Sequence, residues 1–101
     1  MKEIKEVAKR IRCELRAAEW YADEALKDRE MYPKLAKHYH DMAADNLKRV
    51  DELHTAVAEM IDEVQKSGKV IPQGMLDVWN FEHEMLMEHA ADVRYMVYRY
   101  K

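Results

Sequence analysis

Apolar positions repeat in steps of three and four along three separate stretches of the chain. The first stripe is Ile4, Ala8, Ile11, Leu15, Ala18, Ala22 and Ala25, widened by Val7, Tyr21 and Leu26. That spacing places one apolar face on an α-helix. Several of its positions are alanine, so a neighbouring helix can approach closely. The second stripe is Ala36, Tyr39, Ala43, Asn46, Val50, Leu53, Val57, Met60 and Val64, with Asn46 as its polar interruption. The third is Met75, Trp79, Glu82, Leu86, Ala90, Val93, Val97 and Tyr100, interrupted by Glu82. The pattern predicts helices over about 2–30, 33–67 and 72–100.

The breaks fall where backbone chemistry puts them. Pro33 lacks an N–H and disfavours helical geometry at Tyr32, yet suits the first turn of a new helix. Gly68 in "KSGK" takes the left-handed geometry that ends a helix, and Pro72 opens the third. Such short connections make successive helices antiparallel. The predicted fold is all-α: a bundle of three long antiparallel helices forming one domain, residues 1–101. Trp20, Met31, Val78, Phe81, Met87, Tyr95, Met96 and Tyr98 lie off the main stripes. Apolar surface of that kind on a thin bundle predicts completion by oligomerisation with further copies.

Folding the chain back at residues 32 and 70 brings polar side chains to a common level. Glu14 falls near Val50, Glu19 near Asp45, His89 near Asp51 and Glu82 near Ala58. Two readings of this slab stay open. In one, Glu14, His54, Glu82 and His89 converge on a divalent metal, as carboxylate and imidazole ligands do in other bundles. In the other, Glu14, Asn46, Arg49 and His54 form a hydrogen-bonded structural layer that sets register and needs no cofactor. Asp51-x-x-His54 has a metal-ligand spacing, but Asp51 points off the seam.

Charge and cysteine content narrow the class. The net charge of −3 gives no general attraction to long nucleic acid or to a membrane. No apolar run approaches the roughly 20 residues that span a bilayer, and "MKEIKEVAKR" carries charge too often for a signal peptide. Cys13 is the lone cysteine. It predicts a reducing, cytoplasmic setting and reads as a small filler beside the first seam. Gly68 and Gly74 stand apart, which excludes a phosphate-cradling loop. Ser67 is the lone serine, so serine hydrolysis is not expected.

The segments "CELRAAEWYADEAL" (13–26) and "LAKHYHDMAADNLKRVDELHTAV" (35–57) resemble the ferritin-like type. The resemblance implies a Glu on the first helix, matched by Glu14, and Glu-x-x-His on the second. Asn46-x-x-Arg49 stands at the in-register position, so the liganding types are replaced there. Most of the chain, with "AEWYADEAL" and "DELHTAV", is also similar to short helical proteins encoded in phages and prophages of gut bacteria. That likeness implies an intracellular, non-enzymatic accessory protein acting against host defence.

Arg94, Arg99 and Lys101 alternate with Tyr95, Tyr98 and Tyr100 in "VRYMVYRYK", and Arg12 and Arg16 precede Trp20 and Tyr21. Guanidinium groups grip phosphate and aromatic faces stack on bases. The leading expectation is therefore a homo-oligomeric binding protein that sequesters a small anionic, nucleotide-like ligand. Its ligand set is Arg94, Tyr95, Tyr98 and Arg99, joined by Arg12, Arg16 and Trp20. The alternatives are a ferritin-like metal protein, and an inhibitor or scaffold bound to a host protein.

Overall fold

Each stripe folds as one uninterrupted helix. The computed structural model describes residues 2–101, in which α1 (Lys2–Asp28), α2 (Pro33–Lys66) and α3 (Gln73–Arg99) account for all regular structure, with no strand. They run antiparallel in sequence order as a rod of 57 × 19 × 18 Å. None of these helices is long and apolar enough to cross a membrane.

Local chemistry sets the ends. Tyr32 lies outside the helical basin, because the ring of the following proline crowds helical geometry there. Its N–H still reaches the Asp28 carbonyl at 2.8 Å, and its own carbonyl accepts from Ala36 at 2.9 Å, so neither helix end is left open. At the far end Gly68 takes a positive φ, a conformation that a side chain would resist. Ser67 donates from its hydroxyl to the Val64 carbonyl at 2.8 Å and closes the last turn. The Pro72 carbonyl then accepts from Met75 and Leu76 to start α3.

The central stripe of α1 is buried throughout, at Ile4, Ala8, Ile11, Leu15, Ala18, Ala22 and Ala25, while Val7, Tyr21 and Leu26 beside it are half-buried. It packs most closely on α2 and next on α3, while α2 and α3 touch each other sparsely. Small residues concentrate toward the Pro33 bend, where Ala22 and Ala25 share a level with Ala36 and Ala43. Larger ones fill the other two thirds. Ile11 and Leu15 join Val50, Val57, Trp79, Leu86 and Val93 in one core cluster.

Two features differ from the pattern reading. Cys13 is exposed, whereas Ile11 is buried. Two steps along a helix carry a side chain to the far side of the axis, so Cys13 leaves the seam. In α3 the buried set is Trp79, Leu86, Ala90 and Val93, whereas Glu82 sits half-buried on the flank toward α1. On its outer side α3 exposes Phe81, Tyr95 and Tyr98, while the exposed Val78 and Met85 border α1.

Truncating Ile11, which has no exposed surface, removes methylenes from the place where all three helices meet. Ile11→Ala is expected to lower unfolding free energy by about 2–5 kcal/mol. Phe81→Ala, on the exposed side, should stay within about 0.5 kcal/mol in dilute protein. Urea titration of both variants checks the contrast.

Candidate functional site

Glu14 organises the α1/α2 seam. Its Oε2 accepts from Asn46 Nδ2 at 2.6 Å and from Arg49 Nε at 3.0 Å. Asn46 is the buried polar side chain of the core, and its Oδ1 has no partner among the described residues. Burial alone would raise the Glu14 pKa. The Asn46 amide and the Arg49 guanidinium outweigh it and hold the carboxyl below its ordinary 4.5. Glu14, Asn46 and Arg49 thus form a charge-assisted layer across two helices.

His54 does not join that layer. It turns to α3, where its Nε2 lies 2.7 Å from His83 Nε2. The ring centroids are 4.8 Å apart. With the nitrogens so much closer than the centroids, the imidazoles meet nitrogen to nitrogen and not face to face. Burial, and then the neighbouring His54, hold the His83 pKa below the usual histidine value. One turn before His54 on α2, Asp51 accepts from Arg94 of α3. A histidine pair and an ion pair thus link α2 to α3.

His83 is the site residue that the third stripe overlooks. From Trp79 the seam can step to Glu82 or to His83 before Leu86, and both choices obey helical spacing. The path Trp79, His83, Leu86, Ala90, Val93, Val97 keeps strict alternation of four and three, which was the available signal. Glu82 and His83 lie on opposite flanks of that stripe, toward α1 and α2 respectively.

The four residues read as a metal set do not converge. Glu14 is held by Asn46 and Arg49. His54 faces His83. Glu82 lies 3.7 Å from Arg12, and His89 Nε2 lies 2.9 Å from Glu19 Oε2. His89 faces α1 instead of Asp51 because it sits on the opposite flank of α3 from Arg94. Among the described residues no group of three His, Cys, Asp or Glu side chains is placed to share an ion.

The residues read as an anion site also separate. Arg94 turns toward α2 and Asp51. Arg99 stacks its guanidinium 5.9 Å from the Tyr95 ring centroid, while its carbonyl accepts from Arg29 Nη1 at 3.2 Å. Tyr95 and Tyr98 are exposed. Arg12 and Arg16 instead line a groove of about 290 Å³ between α1 and α3, with Glu82, Met85, Leu86 and His89 as the other walls. The groove continues along Arg16, Glu19, Trp20, Asp23 and Met96. Trp20 leans edge-on against Tyr39 at 5.6 Å. Glu82 offsets Arg12 and Glu19 offsets His89, whereas Arg16 meets no carboxylate within ion-pair distance among the described residues.

The Glu14 layer has a testable pH signature. A folded pKa below the unfolded one gives stability that is complete above the unfolded value and is lost as pH falls through the folded value. Glu14→Gln is therefore expected to cost about 1–3 kcal/mol at neutral pH. The gap to wild type should begin to close as pH falls below the ordinary 4.5 and close further as it passes through the lowered folded value. Denaturant titrations across that range report it. Comparison with protein-family models, curated proteins and solved structures yields no match to the chain.

Proposed function

We propose that the chain is a non-enzymatic binding protein that acts as an oligomer and sequesters a small anionic, nucleotide-like ligand. The observation that carries this reading is the α1/α3 groove, where Arg16 presents an uncompensated guanidinium beside Arg12 over an apolar floor of Met85 and Leu86. A phosphate would sit on Arg16 and draw Arg12 from its long contact with Glu82, since guanidinium–phosphate pairs are short and bidentate. An aromatic base would lie along Met85 toward Trp20 and Met96.

The groove is open along its length, so a tight ligand needs a second wall. The exposed Phe81, Tyr95 and Tyr98 side of α3 supplies surface by which another copy would be joined. In this reading the ligand set shifts from the C-terminal tail to Arg12, Arg16 and Trp20, and Tyr95 and Tyr98 serve the subunit contact. A counter-defence role for a phage-type protein fits such sequestration, because binding alone removes a signal without chemistry.

Calorimetric titration against cyclic and linear nucleotides, alongside inorganic phosphate, tests the reading. At least one nucleotide should bind, Arg16→Ala should weaken it about tenfold or more, and Arg94→Ala should leave it within about twofold. Absence of heat with every nucleotide, or equal loss in both variants, would refute the groove as the site. Native mass measurement should give more than one chain per particle.

A further inference from the structure

The α2/α3 seam holds two half-buried imidazoles that face one another. His54 and His83 come from different helices, and their Nε2 atoms are 2.7 Å apart. Neither Nε2 meets a carboxylate or a carbonyl among the described residues. Of the two facing nitrogens, one carries the shared proton and the other offers its lone pair. Replacing that proton by an ion with imidazole preference leaves both lone pairs engaged.

We infer that His54 and His83 form a two-imidazole clamp for a divalent transition-metal ion of the zinc, nickel and copper class. Neutral imidazole favours these ions over magnesium or calcium, which take oxygen ligands. With metal–nitrogen bonds of about 2.0–2.1 Å, two tetrahedral ligands stand roughly 3.3 Å apart. The two nitrogens would therefore separate by about 0.6 Å and turn their tips to one side.

The surroundings suit a single cation. The fixed charge of Arg94 would oppose it, but Arg94 is tied to Asp51, one turn before His54 on α2. Trp79 closes the apolar side of His83, with ring centroids 5.5 Å apart. The other side is open enough for water or an added ligand to fill the remaining positions. Because the two ligands lie on helices that otherwise touch sparsely, the ion would brace α3 against α2 and stabilise the folded chain by mass action.

This clamp is a different place from the anion groove, on the opposite flank of α3, and the two readings fail independently. Tag-free protein is titrated with Zn²⁺, Ni²⁺ and Cu²⁺, with heat, melting temperature and tryptophan fluorescence as readouts. One ion per chain is expected, with a rise in Tm and quenching of Trp79 by Cu²⁺. His83→Gln and His54→Gln should each weaken binding about tenfold or more. His38→Gln, at an exposed position of α2, should not. Circular dichroism confirms that each variant keeps wild-type helicity, and two independent variants guard against loss of fold in one. No binding of any of the three ions, wild-type affinity in both clamp variants, or equal weakening by His38→Gln would overturn the clamp.

Discussion

The structure depends on α1 being able to bury one continuous stripe against two different helices. α2 and α3 contact each other little, so neither could form a core with the other alone. Alanine makes this possible. Where α1 runs beside the start of α2, Ala18, Ala22 and Ala25 let the backbones come close. Beyond that point Ile11 and Leu15 are long enough to reach both neighbours. The change from small to large along one stripe converts a tight hairpin into a three-helix core.

Polar groups then decide register. A leucine-and-alanine seam tolerates a slip of one turn, but the half-buried Glu14 and the buried Asn46 do not, because they would lose the hydrogen bond that offsets their desolvation. Asn46 and Arg49 are available at one offset between α1 and α2. On α3 the same role is divided between flanks. Glu82 and His89 address α1, and His83 and Arg94 address α2. Each of these contacts has a defined side, which explains why the candidate ligands fall into separate places and do not gather in one.

Much of this was legible in the residues. The α1 stripe is buried position for position, and the reversals occur at Pro33 and Gly68 for backbone reasons that require no tertiary knowledge. The meeting of Glu14 with Asn46 and Arg49 follows from counting back across the first bend. What periodicity leaves open is rotation about a helix axis. Trp79, Glu82 and Leu86 are as helical as Trp79, His83 and Leu86, and one residue's turn about the axis decides which side chain faces a partner. That ambiguity left His83 outside the stripe, on the flank that faces α2. Side-chain direction on a flank is set by packing between helices, and no local spacing encodes it.

The sparse α2/α3 boundary has a dynamic consequence. α1 and α2 are joined along an alanine-rich seam with a charge-assisted layer at its middle, whereas α3 is attached by Trp79, Leu86, Ala90 and Val93 on one side and by solvent-accessible polar links on the other. The rod is thus a firm hairpin carrying a looser third leaf. Its amides should open in that order, with α3 exchanging hydrogen ahead of α1 and α2, and whatever binds either flank of α3 gains leverage over how long the leaf stays closed.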